Sequence, residues 1–249
     1  MKDESGTRAH TLFISDLHLA AERPRINQQF FAFARDAAPA AETLYILGDL
    51  FEYWIGDDDR EEPLNDAVAQ ALAALAARGT RVCMMHGNRD VLIGAAFAAR
   101  CGAALIDDPT LVELYGTCTL LMHGDTLCAD DLDYQAFRRY AHDADNQRKF
   151  LAQPLQARRD QMLGMRAQSE QVKKEKTSGI MDVSTAAVDA ALRAHGYPRL
   201  VHGHTHRPAR HTHRVDGHDC ERWVLADWYQ HGSYLRCDAN RCVSVQLPG

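Results

Sequence analysis

Five short clusters rich in Asp, His and Asn each close a short apolar run, and this arrangement narrows the folds open to the chain. The clusters are Asp16-Leu17-His18, Gly48-Asp49-Leu50-Phe51-Glu52, Gly87-Asn88-Arg89-Asp90, His123-Gly124-Asp125 and Val201-His202-Gly203-His204-Thr205-His206-Arg207-Pro208. The runs before them, at residues 11–15, 43–47, 81–85, 117–122 and 199–201, have the length and apolar content of buried strands. Clusters of this composition at successive strand ends point to one metal site assembled from distant segments.

Helical patterns separate the early runs. Residues 25–38 predict a helix with Phe30, Phe31 and Phe33 apolar. Residues 63–78 predict an Ala- and Leu-rich helix opened by Pro63 and closed by Gly79. A short helix is expected over 92–100, before Gly102. Residues 111–115 and 117–122 flank Gly116 as a hairpin. Further short strands are expected at 211–215, 222–225, 234–237 and 243–247. Helices between early strands predict a mixed sheet, and the late strands a second one. The expected fold is therefore α/β, a sandwich of two sheets flanked by helices.

The chain of 249 residues is most simply one domain, 1–249, with an insertion. Its 46% apolar and 25% charged residues are those of an ordinary soluble globular protein. A formal charge of −6 argues against general nucleic-acid binding. No apolar run approaches the ~20 residues of a membrane span, and residues 1–10 lack the apolar stretch of a secretory signal. Seven scattered cysteines without a Cys-x-x-Cys are expected to be reduced thiols in a cytosolic chain.

The middle of the chain departs from the sheet pattern. Residues from about 133 to 178 are helical in composition and long for a connection, so they are expected to form an inserted helical cap. From Arg138 to Lys176 the chain carries ten Lys or Arg against five acids, a surplus of +5 that leaves the rest at −11. A basic cap beside a metal site suits an anionic substrate or an anionic membrane surface. Phe137, Tyr140, Phe150, Leu151, Leu155 and Met162 either pack the cap's own helices or face an apolar part of what the cap covers.

Imidazole, carboxylate and amide oxygen ligate Mn2+, Fe2+ or Zn2+. Two such ions ~3.5–4 Å apart can clamp a phosphoryl group and activate water between them. A pair of ions needs a bridging carboxylate. Asp49 is the best candidate, because Gly48 lets the backbone turn sharply before it. Asp16 and His18, two apart at a strand end, can aim at one ion, and His204 and His206 can serve one ion each. Asn88 offers a neutral oxygen and His123 another imidazole. His211, His213, His218 and His231 are expected to be ordinary packed or surface residues.

Asp-x-His, Gly-Asp, Gly-Asn-x-Asp, a central His and Gly-His-x-His, in that order and over nearly the whole chain, resemble the calcineurin-like metallophosphoesterases. The resemblance implies that Asp16, His18, Asp49 and His206 hold one ion. It implies that Asp49, Asn88, His123 and His204 hold the other. Many members of that family have His where this chain has Arg89, and that His protonates the leaving group. Arginine, with a pKa above ~12, cannot do so, but it can stabilise charge on phosphate. A phosphate leaving from a pyrophosphate needs no proton, so Arg89 points to a pyrophosphate bond. Asp90 is expected either to orient Arg89 or to cap a helix.

The runs Gly87-Asn88-Arg89-Asp90, Gly48 to Asp58 and His123 to Asp131 narrow the resemblance to the UDP-2,3-diacylglucosamine diphosphatases of the lipid A pathway. That resemblance implies two Mn2+ per chain, other divalent ions being possible. The activated water attacks the uridine-side phosphorus, giving UMP and 2,3-diacylglucosamine 1-phosphate, with Asp49, Asn88, His123 and Arg89 as catalytic residues. Substrate contacts carry over to Asn88, Arg89, Asp131, Ser169, Lys176 and His204. Lys173 stands where some relatives have Asn; a cation there fits a pyrophosphate, its role otherwise open. The implied partners are the UDP-diacylglucosamine lipid and the anionic surface of the inner membrane, at whose cytoplasmic face the family works peripherally. A soluble nucleotide-sugar or dinucleotide pyrophosphatase, and a non-catalytic binding scaffold on the same fold, are the alternatives.

Overall fold

The computed structural model describes residues 10–175 and 182–248. Four parallel strands start the first sheet: β1 (Thr11–Ile14), β2 (Thr43–Leu47), β3 (Arg81–Met85) and β4 (Ala103–Leu105). The crossovers between them carry α1 (Pro24–Ala32), α2 (Pro63–Ala77) and α3 (Ala95–Cys101). Proline opens α1 and α2, where a missing N–H costs nothing. Gly79, at φ +89°, takes the left-handed turn after α2.

The second sheet begins with the antiparallel pair β5 (Thr110–Leu114) and β6 (Thr117–Met122). The helices α4 (Leu132–His142), α5 (Ala144–Leu151) and α6 (Leu155–Glu175) occupy the segment expected to form a cap, and α7 (Thr185–Ala194) precedes β7 (Arg199–His202). With β8 (Ala209–Val215) and β9 (His218–Val224) the sheet order is β5-β6-β7-β9-β8, with β6, β7 and β9 parallel. The last two strands, β10 (Ser233–Cys237) and β11 (Cys242–Gln246), return to the first sheet, β10 antiparallel to β1 and β11 antiparallel to β10, giving β11-β10-β1-β2-β3-β4.

The alternation of side chains along each strand explains the layers. Leu12, Ile14, Leu44, Ile46, Val82 and Met84 face the helices, where Phe30, Phe33, Val68, Leu72 and Phe97 cover them. Their neighbours Phe13, Tyr45, Leu47, Cys83 and Met85 face the second sheet and meet Leu114, Leu121, Val201 and Leu225. The outer face of the second sheet, Leu120, Met122 and Leu200, is covered by Val188 and Leu192 of α7. A sheet buried on both faces has no polar alternation, which is why the early strands are continuous apolar runs.

The two-sheet sandwich flanked by helices is as expected, with three corrections. The late strands do not form one sheet of their own: β10 and β11 complete the first, and the second is founded on the 110–122 hairpin. The sequence reading missed β4 and α7, both short. Cys237 and Cys242 are joined as a disulfide rather than reduced, because they are register partners in the β10–β11 hairpin.

Candidate metal centre

Because β1, β2 and β3 run parallel, as do β6 and β7, their carboxyl ends gather at one rim of the sandwich. The loops after them carry all five polar clusters. Backbone hydrogen bonds lock these loops together: Asp16 N donates to Gly48 O at 3.1 Å, His18 N to Asp49 O at 3.0 Å and Gly203 N to His123 O at 2.8 Å. Five of the seven expected ligands take positive φ without being glycine: Asp16 (55°), His18 (50°), Asp49 (52°), His204 (67°) and His206 (55°). Each such residue costs about 1–2 kcal/mol, and strain of this kind clusters where side chains must be re-aimed for function. Gly48, at φ +89°, is confined to glycine for a second reason, since a Cβ there would lie 2.5 Å from His123 Nδ1.

The donors converge in two overlapping sets among the described residues. Asp16, His18 and His206 form one and Asp16, Asp49 and His123 the other, each with ligand atoms within 4.8 Å of one another. The two sets share Asp16, and Asp49 of the second also reaches the first, its Oδ2 lying 3.8 Å from His18 Nε2 and 3.9 Å from His123 Nε2. His18 Nε2 and His206 Nε2 are 3.4 Å apart. Asn88 Oδ1 lies 3.2 Å from His123 Nε2 and 3.0 Å from His204 Nδ1. The structure thus brings together every metal ligand expected from the sequence.

The far side of each imidazole decides which nitrogen is free. His123 Nδ1 donates to Leu47 O at 2.9 Å, which leaves the lone pair on Nε2. His18 Nδ1 faces Glu52 at 3.4 Å, and His206 Nδ1 faces Asp227 at 3.6 Å. Carboxylate and carbonyl partners of this kind fix metal-binding histidines. Asp16 Oδ2 accepts from Ser15 Oγ at 2.6 Å and from His204 N at 2.9 Å, while the buried Oδ1 accepts no hydrogen bond among the described residues. A buried carboxylate oxygen without a donor, in a ring of imidazole lone pairs, fits a cation. The proton balance agrees. Among the protein's own charges, burial pushes the Asp49 carboxyl up to about 7. Burial opposes protonation of His123, but Asp49, Asp125 and Asp16 outweigh it and carry the imidazole up to about 9. His204 falls to about 3 through burial and the nearby His123. Bound cations would hold all these groups in their ligating forms.

Beyond the ligands lies a cavity of about 670 Å3. His18, Asp49, Asn88, His204 and His206 line it together with Phe137, Tyr140, Phe150, Met162 and Met165 of the helical segment. Leu151 and Leu155 are not on its wall. Arg89 and Asp131 are on it, and Asp131 also caps α4 by accepting from Tyr134 N at 3.1 Å. The side chains of Ser169 and Lys173, and the whole of Lys176, lie outside the described residues. Asp90 neither orients Arg89 nor caps a helix. Buried among four backbone N–H groups, it accepts from Gly87, Asp49, Leu50 and Phe51 and ties the β2 loop to the β3 loop. Asp227 and Tyr229 had no sequence signal. Asp227 stands behind His206, and the Tyr229 ring stacks on His18 with centroids 5.2 Å apart. His213 and His218 stand on the β8–β9 hairpin, beside Asp189 and Tyr197 respectively.

A family model described as calcineurin-like phosphoesterase matches residues 9–208. The chain belongs to this family. Members are metal-dependent, in keeping with the donor sets above. The phosphoesterase is 55% identical over 227 residues to a protein of Aromatoleum aromaticum, covering 91% of this chain and 92% of that one. It is 50% identical over 244 residues to one of Xanthomonas campestris pv. campestris, covering 95% and 98%. It is 48% identical over 239 residues to one of Edwardsiella ictaluri, covering 96% and 92%. All three bear the name UDP-2,3-diacylglucosamine hydrolase, the group that the Gly87–Asp90 motif resembles.

Proposed function

We propose that this phosphoesterase hydrolyses the pyrophosphate bond of UDP-2,3-diacylglucosamine, releasing UMP and 2,3-diacylglucosamine 1-phosphate. One observation carries the reading: a single cavity joins a rim of metal ligands to a wall of aromatic and methionine side chains, as a substrate with a diphosphate head and acyl chains requires. The names of its relatives agree. In this reading Asp16, His18, Asp49 and His206 hold one Mn2+, and Asp49, Asn88, His123 and His204 the other. The two ions would neutralise phosphoryl charge and supply the activated water.

The protein's own residues do the rest. Asn88 orients the phosphoryl group beside His123 and His204. Arg89, whose side chain is 8% exposed, stabilises charge on the leaving phosphate through its guanidinium. A leaving phosphate takes its charge with it and needs no proton, which an arginine could not give. Asp131, Ser169, Lys173 and Lys176 are assigned to the head group, and Phe137, Phe150, Met162 and Met165 to the acyl chains. We place the protein at the cytoplasmic face of the inner membrane. No described helix is long and apolar enough to cross a membrane. Leu132, Tyr140 and Leu163 are exposed on the basic helical segment, a surface suited to anionic lipid.

The test is UMP release by the Mn2+-loaded protein from UDP-2,3-diacylglucosamine and from its deacylated counterpart. Release from the acylated substrate alone is expected. Equal release from both would replace this reading with a soluble nucleotide-sugar pyrophosphatase, and release from neither would remove the substrate.

A further inference from the structure

Glu52 closes the cluster that begins at Gly48, and neither the motif nor the metal centre uses it. It is 5% exposed, yet groups from three separate segments converge on its one carboxylate. Oε2 stands 3.4 Å from Nδ1 of His18, on the loop after β1. Oε1 stands 3.2 Å from the guanidinium of Arg166, on α6, and 3.9 Å from that of Arg89, on the loop after β3. The backbone of Glu52 is fixed independently, its N–H donating to Leu19 O at 3.1 Å. Arg166 is steadied from a second direction, its guanidinium 5.6 Å from the centroid of the Tyr53 ring.

Two consequences follow from charge and geometry. A carboxylate behind Nδ1 keeps the proton of His18 on that nitrogen and the lone pair on Nε2, which faces the other ligands. Two guanidiniums on one cavity wall repel each other, and a buried carboxylate between them offsets one charge. We infer that Glu52 is a positioning residue that joins the metal ligands to the helical segment. Through Oε2 it sets the ligating nitrogen of His18. Through Oε1 it holds Arg89 and Arg166 side by side for an anionic phosphate group. This carboxylate thereby ties α6 to the candidate metal centre, so that Arg166 and His18 are set together. The second half of this inference rests on the function proposed above; the first does not.

Glu52→Gln keeps the shape and removes the charge, and Arg166→Gln probes the same link from a part-exposed position on α6. Chelator competition on the Mn2+-loaded proteins should show Glu52→Gln releasing Mn2+ with an affinity about tenfold weaker than the unsubstituted chain, and Arg166→Gln unchanged. On UDP-2,3-diacylglucosamine, kcat/KM should fall about 100-fold in Glu52→Gln and about tenfold in Arg166→Gln. The double variant should be no worse than Glu52→Gln alone, because Arg166 loses its position once the carboxylate is neutral. Circular dichroism confirms that each variant is folded. Unchanged Mn2+ affinity in Glu52→Gln would overturn the role at His18, and additive losses in the double variant would overturn the tie to α6. If the unsubstituted chain leaves UDP-2,3-diacylglucosamine intact, the substrate reading fails, and the Mn2+ competition alone decides the part of the inference that stands without it.

Discussion

The metal centre and the helical segment face each other across one cavity and are built in opposite ways. Asp16, His18, Asp49 and His123 are at most 2% exposed, and their loops are clamped between strand ends by backbone hydrogen bonds. Several hold left-handed conformations that only a rigid surround can enforce. By contrast, α4 and α5 bury no residue fully, and Leu132 and Tyr140 are 74% and 62% exposed. The segment is held by polar side chains, among them Arg158, which donates to Ile55 O and Asp58, Tyr134 and Arg138, which donate to Asp125, and Arg166, which faces Glu52. Reaction geometry tolerates little error, whereas an apolar wall need only exclude water from flexible chains. Under the proposed function, the contrast puts the chemistry on the core and the choice of substrate on the helices.

The sharpest way to break this contrast is to remove Asp49. Its carboxylate lies 3.8 Å from His18 and 3.9 Å from His123, so Asp49→Ala is expected to lose bound metal and to cut UMP release at least about 10³-fold. That exceeds the roughly 10–100-fold cost of altering residues behind the ligands. Elemental analysis checks the first outcome, and normal metal content would show that the centre does not depend on Asp49. Arg89→Ala comes next. It should lower turnover about 10²–10³-fold, the cost of losing one charge-stabilising donor, with metal content unchanged. Unaltered turnover would remove Arg89 from the chemistry.

The difference between the two regions also explains what the sequence made legible. The seven candidate ligands stood out because each lies at or just past the point where a continuous apolar run stops, and a polar cluster at that place in a sheet covered on both faces asks for a reason. Arg89 stood out because it replaces a proton donor with a group that cannot donate. Glu52 and Asp227 were not found: Glu52 is one acid in a segment rich in acids, Asp227 is a lone acid outside every polar cluster, and only the fold puts them behind His18 and His206. Asp90 was misjudged because its partners are backbone N–H groups, which carry no residue identity. In the helical segment, helical composition and positive charge were visible. Which apolar side chains turn inward was not: Phe137 and Phe150 line the cavity while Leu151 and Leu155 do not, and that depends on helix packing rather than spacing.

Acid tests the rigid side of the comparison through a residue that is not a ligand. His202 is fully buried at the end of β7. Its Nδ1 donates to Gly203 O at 2.9 Å, and its Nε2 accepts from Arg222 at 3.1 Å, so the ring must be neutral. Burial, assisted by Arg222, pushes its pKa down to about 4, while an unfolded His titrates near ~6.5. Between these values the unfolded chain binds a proton that the folded chain refuses. The contribution of His202 to stability is therefore whole above pH ~6.5 and is lost as pH falls through about 4, at most about 3 kcal/mol. In thermal melts at pH 7.5 and 4.5, His202→Gln should lose about 2 kcal/mol less than the unsubstituted chain. Equal losses would show that this rim yields to acid elsewhere.

The smallest effect tests the adaptable side. Phe150 lies on the cavity wall but is only part-buried, and α5 contributes no fully buried residue to any core. If its ring serves acyl chains, Phe150→Ala gives up part of the about 1.5–3 kcal/mol that burying such a side chain contributes. KM for the acylated substrate should then rise about tenfold, with kcat and the melting temperature nearly unchanged, because the reacting groups and the sandwich core are untouched. The alternative, that the ring packs the helices against one another, makes the opposite forecast: a lower melting temperature and a KM that hardly moves. The two outcomes separate by which quantity changes. Only the first keeps substrate selection on a surface that can adapt without disturbing the ligands beneath it.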